Sequence, residues 1–353
     1  MSTPVTSPSP TPLQQAIRRL ADGESLSFDE ARGAFAALMA GEASPVQTAA
    51  LLLGLRARGE SADEVAGAAA ALRDAMVRLP AANPDALVDT CGTGGGRVTT
   101  LNISTAAAFV VAAAGVPVAK HGNRSYTSRS GSADVLEALG VGVDLGPDAA
   151  QRALDAAGLT FLFAPVYHPA MRHVGPVRRE LGVPTIMNLV GPLANPAGVR
   201  RQVVGVADRG RAPVVAAALA RLGATHALVV HAESGMDELC PVGATQVWEV
   251  RAGDGVREWR LEAAAVGVQA ESLDDLAGGD PAENAARIRL ALEGRGPAAI
   301  REAIALNAAA ALYVAGAAAT LRAGVDLARG LMAAREATDV LERLRAAAPA
   351  PRR

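Results

Sequence analysis

Between residues 89 and 105 the chain reads DTCGTGGGRVTTLNIST, and this stretch indicates an α/β fold. The β-branched run at its start predicts a strand, a cluster of glycines follows, and the Ala-rich segment after it predicts a helix. Glycines let successive backbone N–H groups approach a ligand closely, and the N-terminus of the next helix adds the positive end of its dipole. The stretch therefore indicates a loop that binds phosphate or pyrophosphate, with a glycine-rich turn and an ordinary helix cap as the alternative.

Short strands and Ala-rich helices alternate through the rest of the chain after residue 85. Such alternation predicts an α/β domain with a mostly parallel central sheet covered by helices. The dinucleotide-binding motif G-x-G-x-x-G does not fit, because it requires glycine at the position of Arg97. The predicted strands are Ala86–Thr90, Val116–Ala119, Thr160–Ala164, Gln202–Val206, Ala227–His231 and Gln246–Val250. The predicted helices are Ser104–Ala114, Ala133–Leu139, Asp148–Ala157, His168–Leu181, Ala212–Leu222, Pro281–Leu292, Pro297–Val314 and Thr320–Leu344.

Residues 13–79 are predicted to form a separate N-terminal helical subdomain. Ser27 and Ser61 each precede a glutamate by three residues, which is the spacing of a capping box. Ser44 is followed by Pro45, the pattern of an N-cap with proline at the first helical position. Short helices with surplus apolar residues are typical either of a core or of a subunit contact.

The α/β domain is expected to span residues 85–345, between two tails. Residues 1–12 and 346–353 are rich in Pro with Ser, Thr or Arg, and both are predicted to be disordered. The N-terminus lacks the pattern of a secretory signal. Every apolar stretch of about 18 residues, the length needed to span a membrane, is interrupted by Gly, Pro or a charged residue. The lack of a long apolar run predicts no membrane association. The cysteines Cys91 and Cys240 form no C-x-x-C pair, so we expect a reducing cytoplasm.

The composition is that of a globular protein without affinity for nucleic acid. Of 353 residues, 50% are hydrophobic and 20% are charged. The net charge is −2 and the pI is near 6.2, whereas proteins that coat nucleic acid are normally basic. The P-loop, H-E-x-x-H and G-x-S-x-G motifs are missing, which argues against P-loop NTPases, zincin-type proteases and α/β-hydrolases.

A second polar loop follows the next predicted strand, where residues 120–134 read KHGNRSYTSRSGSAD. It combines ammonium, imidazole, guanidinium, hydroxyl and amide groups at the C-terminal end of a strand, the edge where α/β sheets bind ligands. Lys120 is the single lysine among 34 basic residues, and its compact charge differs chemically from an arginine fork. Two such loops on successive strands favour a phosphate ligand over a merely solvated loop.

Two further segments carry charged side chains. Residues 168–182 read HPAMRHVGPVRRELG, in which one arginine can clamp a substrate carboxylate while the others lie at the surface; the candidates are Arg172, Arg178 and Arg179. Asp237 and Glu238 are adjacent carboxylates after a predicted strand. Such a pair is commonly ordinary surface charge, but next to a phosphate site it is typical of Mg²⁺ binding.

These motifs resemble those of the anthranilate phosphoribosyltransferases of glycosyltransferase family 3. The resemblance covers about residues 13–345 and follows the order of the family's motifs. The matching motifs are GTGG, NIST, KHGNR, GSAD, HPAMRHVGPVRRELG, GPLANP and MDEL at Gly92–Gly95, Asn102–Thr105, Lys120–Arg124, Gly131–Asp134, His168–Gly182, Gly191–Pro196 and Met236–Leu239. The resemblance implies a homodimer formed through the N-terminal helices. It also implies the Mg²⁺-dependent reaction of anthranilate with 5-phosphoribosyl 1-diphosphate, giving N-(5-phosphoribosyl)anthranilate and pyrophosphate.

The resemblance also implies roles for individual residues by their motif positions. Mg²⁺ would be held by Ser104, Asp237 and Glu238, and the catalytic residues would be Lys120, Asp237 and Glu238. Anthranilate would be contacted by Gly92, Asn123 and Arg178. Phosphoribosyl diphosphate would be bound by Gly92, Gly95, Gly96, Thr100, Asn102, Ile103, Ser104, Thr105, Lys120, His121, Gly122, Asn123, Arg124, Ser125, Tyr126, Thr127, Ser128 and Ser132.

The chain departs from the family's pattern at two places. The glycine loop of the family continues with Asp-Gly where this chain has Gly96-Arg97, so the loop has no carboxylate at that point, and the usual Phe before NIST is Leu101. A pyrimidine nucleoside phosphorylase is one alternative, which the KHGNR and VRRELG segments oppose. A non-catalytic nucleic-acid-binding relative of the same fold is the other, which the net charge and the intact Asp237-Glu238 pair oppose.

Overall fold

The computed structural model describes residues 9–96, 98–125 and 129–350. Its helices are α1 Pro12–Ala21, α2 Phe28–Ala40, α3 Pro45–Arg58, α4 Ala62–Asp74, α5 Ile103–Ala113, α6 Ser132–Ala138, α7 Pro147–Ala157, α8 Ala164–Tyr167, α9 Met171–Leu181, α10 Met187–Leu193, α11 Ala212–Arg221, α12 Pro281–Leu292, α13 Ala298–Ala315, α14 Leu321–Ala333 and α15 Glu336–Ala347. Its strands are β1 Val88–Gly92, β2 Val118–Gly122, β3 Leu159–Phe163, β4 Arg201–Gly205, β5 His226–Ala232, β6 Ala244–Arg251 and β7 Gly255–Glu262.

The chain divides into two compact units, and the division differs from the predicted one. The first unit contains Ala170–Val190 in addition to the residues up to Ala75; the second contains Met76–Pro169 and Gly191–Arg353. Within the first unit, α9 packs against α2 and α3, and its Val174 is buried. Apolar burial of α9 is therefore the reason why a segment expected in the α/β domain belongs with the N-terminal helices.

The N-terminal helices begin where the sequence signals place them. Ser27 Oγ accepts a hydrogen bond from Glu30 N at 3.3 Å, and Glu30 Oε2 accepts one from Ser27 N at 2.8 Å. The same reciprocal pair forms between Ser61 and Glu64. Both predicted capping boxes are confirmed, and each satisfies N–H groups that the first helical turn leaves without intrahelical partners.

The second unit is built on a seven-stranded sheet with the order β3-β2-β1-β4-β5-β6-β7. Neighbouring strands from β3 to β5 are parallel, whereas β6 and β7 pair antiparallel at one end. The predicted mostly parallel sheet with covering helices is confirmed. Because β1 lies between β2 and β4, the chain order reverses at β1, and ligands of open α/β sheets bind at the carboxyl edge of such a position.

Helix α13 is the core helix of this unit. It contacts α5, α14 and the strands β1, β4 and β5. Among the described residues it is one helix whose length and composition would allow it to cross a membrane, yet 72% of it is buried inside the protein. Its apolar sequence is therefore accounted for by packing beneath the sheet.

One predicted helix begins late and another is interrupted in the structure. The helix predicted as His168–Leu181 begins only at Met171, as α9. His168 has φ −120° and ψ 62°, because Pro169 disfavours helical geometry in the residue before it. The segment predicted as Thr320–Leu344 breaks at Arg335, which adopts a left-handed φ of 62° between α14 and α15.

Strand β7 and helix α10 were not predicted. Strand β7 is an edge strand with mostly exposed residues, so it lacks the apolar run that marked the other strands. Helix α10 is only seven residues long and contains Pro192, which is a signal against a helix.

The predicted tails are shorter than expected. Thr11 caps α1, which begins at Pro12, so those two residues are ordered. At the other end, Ala348 is buried, its carbonyl accepts a hydrogen bond from Gly142 N at 2.7 Å, and Ala350 N donates to Gly140 O at 3.2 Å. The prediction of disorder is therefore wrong for residues 346–350, while residues 1–8 and 351–353 lie outside the described part.

Candidate active site

The glycine loop after β1 packs closely against the loop that carries Asp237. Gly94 N donates to Asp237 Oδ2 at 3.1 Å, and Gly94 and Gly95 have φ of 65° and 79°, a region that other residues adopt at a cost. Gly205 ends β4 so close to this loop that a Cβ there would lie 1.6 Å from the carbonyl oxygen of Asp237. The end of β4 and the loop that carries Asp237 therefore approach each other so closely that only glycine fits at position 205.

Glu238 joins the same loop to the start of α5. Its Oε2 accepts from Thr100 Oγ1 at 3.1 Å, and its Oε1 accepts from Ser104 N at 3.2 Å. Burial, followed by the negative charge of Asp237, raises the pKa of Glu238 to about 8. Burial also raises the pKa of Asp237. Both residues are half-buried, so the pair differs from the exposed surface charge that such a sequence commonly has.

Three predicted magnesium ligands face one small cavity at the carboxyl edge of the sheet. Ser104, Asp237 and Glu238 line it together with residues from β1, β4, β5 and α13. These ligands come from the first turn of α5 and from the loop after β5, which are more than 100 residues apart in the sequence. The fold thus brings together side chains that are far apart in the sequence.

Lys120 lies in the middle of β2 with its side chain buried. Its Nζ donates to the carbonyl oxygen of Thr90 and, at 3.3 Å, to Ser104 Oγ. The ammonium therefore lies between β1 and the first turn of α5. Burial lowers the pKa of Lys120, and the negative charge of Asp89 opposes that shift.

Asp89 is a buried carboxylate that organises the ends of the neighbouring strands. Its Oδ1 accepts from His121 N at 3.2 Å and its Oδ2 accepts from Asn195 Nδ2 at 2.8 Å. The same Asn195 amide donates to Ala119 O at 2.8 Å. Sequence reasoning assigned no role to Asp89 or Asn195, although both lie inside stretches that it singled out, DTCGTGG and GPLANP.

His121 and His168 form a buried pair, with their Nε2 atoms 3.2 Å apart. Burial lowers the pKa of His121 to about 3 and that of His168 to about 4, so both imidazoles are neutral near pH 7. One ring nitrogen must therefore donate and the other accept in this contact.

The second polar loop is held by the carboxylates of α6. Arg124 forms ion pairs with Asp134 at 2.9 Å and with Glu137 at 2.7 Å. Asp134 Oδ2 also accepts from Gly131 N at 2.8 Å, immediately before Ser132 opens α6. The exposed guanidinium of Arg124 is thus already paired with two carboxylates of α6. Tyr126, Thr127 and Ser128 lie outside the described residues.

The sequence of this chain matches known protein families and named relatives over most of its length. Residues 84–338 match the family described as glycosyl transferase family, a/b domain, and residues 14–76 match its helical bundle domain. A protein named anthranilate phosphoribosyltransferase from Rubrobacter xylanophilus is 51% identical over 331 residues, which are 94% of this chain and 96% of that one. The chain belongs to the anthranilate phosphoribosyltransferase family.

Solved structures of the family agree with this architecture. The anthranilate phosphoribosyltransferase from Thermus thermophilus has a TM-score of 0.87 and 47% identity, and the match covers 94% of this chain and 98% of that one. The Saccharomyces cerevisiae enzyme in complex with PRPP and Mg has a TM-score of 0.84 and 26% identity, with 95% and 97% covered. A further structure of the yeast enzyme contains 4-fluoroanthranilate.

The departure from the family's glycine loop lies beside Asp237. Gly96 occupies the place of the family's aspartate, and a Cβ at that position would come within 3.3 Å of Asp237 Oδ1. Arg97 lies outside the described residues. That the missing aspartate removes one ligand interaction from this loop stays a prediction.

Arg178 belongs to the first unit, whereas the other predicted site residues belong to the second. Its Nη2 donates to Asn188 Oδ1 at 3.3 Å, and the same oxygen accepts from Thr185 N at 3.1 Å. Arg178 is half-buried, while Arg172 and Arg179 are exposed. Burial therefore distinguishes Arg178 from the other two candidates, and its contact with anthranilate stays a prediction.

Asn307 is a positioning residue that sequence reasoning missed. It lies buried in α13, where its Oδ1 accepts from Leu239 N at 3.1 Å and its Nδ2 donates to Leu239 O at 2.9 Å. Both backbone groups of the residue after Glu238 are thereby fixed. The signal was present in the sequence, because a single Asn in an otherwise apolar helical stretch needs buried partners.

Proposed function

We propose that this chain transfers the phosphoribosyl group of 5-phosphoribosyl 1-diphosphate to the amine of anthranilate, giving N-(5-phosphoribosyl)anthranilate and pyrophosphate. The observation that carries the proposal is the meeting of Asp237 and Glu238 with the glycine loop and the N-terminus of α5. Family membership at high identity over almost the whole chain supports it. We place the reaction in tryptophan biosynthesis and in the cytoplasm.

The carboxylates fit the Mg²⁺ that the family implies. Two neighbouring half-buried carboxyl groups have raised pKa values because of burial, and a cation there offsets the cost of ionising both. In the described part of the chain, His, Cys, Asp and Glu side chains form no cluster of three or more that could hold a metal. Asp237, Glu238 and the Ser104 hydroxyl would therefore be completed by water and diphosphate oxygens, as is common for Mg²⁺.

The protein's own groups stabilise the charge of the departing diphosphate and hold anthranilate in position. Negative charge grows on the diphosphate as it leaves the ribose, and bound Mg²⁺ supplies positive charge that neutralises it. The N–H groups of the glycine loop and the N-terminus of α5 stabilise the same charge. The amine of anthranilate is a neutral nucleophile, so its main requirement is to be held near the reacting carbon, for which we propose Gly92, Asn123 and Arg178.

A fluorescence assay of anthranilate consumption tests this function. Purified protein is expected to consume anthranilate only when phosphoribosyl diphosphate and Mg²⁺ are both present. Phosphorolysis of a pyrimidine nucleoside without consumption of anthranilate would replace the proposal with the phosphorylase alternative.

Replacing Arg178 is expected to weaken anthranilate binding selectively. In Arg178→Ala, loss of a charge-assisted bidentate contact raises the KM for anthranilate about tenfold to a hundredfold, with a much smaller rise for phosphoribosyl diphosphate. Steady-state kinetics with each substrate varied in turn measures this. Arg172→Ala and Arg179→Ala are the matched controls. A similar rise for both substrates would assign Arg178 a purely structural role.

We further propose that the chain is a homodimer formed through the N-terminal helices. On α3 the exposed residues Val46, Ala50, Leu53 and Ala57 follow one another at intervals of four, three and four, which places them on one face of the helix. Val46 is 77% exposed and Leu53 is 47% exposed. An apolar stripe of this kind is typical of a subunit contact.

A charge in this stripe is expected to separate the subunits. Leu53→Arg would bury an unpaired guanidinium at the contact, so the variant elutes as a monomer while keeping its helical circular dichroism. Light scattering after gel filtration measures the mass. Leu327→Arg, at an exposed leucine of α14, is the control and stays dimeric. A dimeric Leu53→Arg variant would show that the stripe is not the contact.

A further inference from the structure

Asn102 occupies the N-cap position of α5 without capping it. Asn is among the preferred N-cap residues because its side-chain oxygen can accept from the first helical turn, yet no such hydrogen bond forms here. Its Oδ1 instead accepts from Ser130 Oγ at 3.2 Å, and its Nδ2 donates to Ser130 O at 3.1 Å. The amide thereby links the loop after β1 to the loop after β2, and both carry predicted phosphoribosyl diphosphate contacts.

A second asparagine, far away in sequence, fixes the orientation of this amide. Asn284 lies in the first turn of α12 and is buried. Its Oδ1 accepts from Gly279 N at 2.8 Å, and its Nδ2 donates to Asn102 Oδ1 at 3.2 Å. The series of hydrogen bonds from Gly279 N to Ser130 O, through Asn284 and Asn102, is called the amide relay below.

The polarity of the amide relay is set by its two ends. A backbone N–H can only donate and a backbone carbonyl can only accept. Gly279 N–H therefore turns Asn284 so that its NH₂ faces Asn102, and Asn102 must then present its oxygen to Asn284 and its NH₂ to Ser130. Reversal of either amide would set donor against donor and acceptor against acceptor in a part-buried place, which is costly.

The segment that supplies Asn284 is also paired directly with the end of the glycine loop. Leu101 N donates to Leu276 O at 2.9 Å, and Gly278 N donates to Thr99 O at 3.0 Å. A Cβ on Gly278 would lie 2.5 Å from the carbonyl oxygen of Thr100, so the approach requires glycine. Residues 276–284 thus hold both the backbone at Thr99–Leu101 and the side chain of Asn102.

We propose that Asn284 is a positioning residue for phosphoribosyl diphosphate. It fixes the orientation of the Asn102 amide, and that amide holds the loop after β1 against the loop after β2. The inference rests on the proposed function, because it names a residue that serves the same site. Asn284 is not one of the predicted substrate contacts; its effect passes through Asn102 and Ser130.

A double-mutant cycle on ligand affinity tests the amide relay. Isothermal titration with phosphoribosyl diphosphate and Mg²⁺, without anthranilate, is applied to wild type, Asn284→Ala, Asn102→Ala and the double variant. We expect Asn284→Ala to weaken the affinity about tenfold, as for the loss of one buried hydrogen-bonded partner. The double variant is expected to bind no more weakly than Asn102→Ala alone, because the two residues act in series.

Two further variants separate positioning from simple destabilisation. Asn284→Asp keeps the side-chain volume and the acceptor for Gly279 N but cannot donate to Asn102, so it should weaken binding as Asn284→Ala does. Asp280→Ala removes the N-cap of the same helix, where Asp280 Oδ1 accepts from Glu283 N at 2.9 Å. This control should lower the melting temperature while leaving the affinity unchanged.

Kinetics supplies the second measurement. Asn284→Asp is expected to raise the KM for phosphoribosyl diphosphate much more than the KM for anthranilate. Wild-type affinity in Asn284→Asp, additive losses in the cycle, or equal weakening by Asp280→Ala would each overturn the inference. Wild-type protein that bound no phosphoribosyl diphosphate would overturn the proposed function as well, so the two failures are distinguishable.

Discussion

The double variant Asp237→Ala/Glu238→Ala is expected to lose phosphoribosyl transfer by roughly a thousandfold or more in kcat, since even one well-placed charge-stabilising group is worth about 100- to 1000-fold. Both carboxylates lie against elements that we assign to the diphosphate: Asp237 on the glycine loop and Glu238 on Thr100 and Ser104. Their removal takes away the proposed magnesium ligands. Steady-state kinetics over a range of Mg²⁺ concentrations measures the loss, and excess Mg²⁺ should not restore activity.

The same carboxylates are expected to destabilise the metal-free protein at high pH. The folded-state pKa of Glu238 is about 8, above its usual value of 4.5, so the folded protein binds a proton that the unfolded chain releases. The free energy of unfolding contributed by this group is therefore present below about pH 4.5 and is lost as the pH rises through about 8. Asp237 shifts in the same direction.

An isosteric variant isolates this effect. In Asp237→Asn/Glu238→Gln the two groups no longer titrate, so its melting temperature without Mg²⁺ should fall less between about pH 5 and about pH 8.5 than that of wild type. Thermal unfolding in a chelating buffer measures both proteins. An active double alanine variant would reduce the pair to ordinary charge, and parallel melting curves for the isosteric variant would mean that the carboxyl groups are not destabilised by burial.

Local signals were sufficient for most elements of the fold. Capping boxes at Ser27 and Ser61 depend on residues three apart, and the strands of the parallel sheet are short β-branched runs, so both are visible without tertiary information. Strand β7 was missed because an exposed edge strand has no apolar run. The interruption at Arg335 was missed because a left-handed residue other than glycine carries no sequence mark.

The site was predictable as a set of residues but not as an arrangement. The glycine loop, the KHGNR loop and the Asp237-Glu238 pair each stood out by their chemistry. Their partners did not, because Asn284 reaches Asn102 across 182 residues of sequence and Asn307 reaches Leu239 across 68. Contacts of this kind depend on the packing of α12 and α13, which no local pattern encodes.

Lys120 also stood out in the sequence, whereas its contacts with Thr90 and Ser104 did not. Its replacement is expected to have the second large effect. Lys120→Met is expected to lower kcat roughly 100-fold, with a smaller change in the KM for anthranilate. The ammonium donates to Ser104 Oγ at 3.3 Å and to the Thr90 carbonyl, and its charge offsets part of the cost of burying the Asp89 carboxylate. Its loss leaves Ser104 free to turn away from the proposed magnesium site just where charge develops on the departing diphosphate.

Lys120→Arg tests whether charge alone is sufficient. The guanidinium keeps the charge but is larger and planar, and Lys120 is only 2% exposed, so the compact contact with both Thr90 and Ser104 cannot be reproduced. We therefore expect Lys120→Arg to retain only part of the activity. Because a buried cation also offsets the ionisation of Asp89, circular dichroism at the assay temperature must first show that each variant is folded. Wild-type kcat in folded Lys120→Met would remove the lysine from the mechanism, and full activity in Lys120→Arg would show that its charge, and not its shape, holds Ser104 in place.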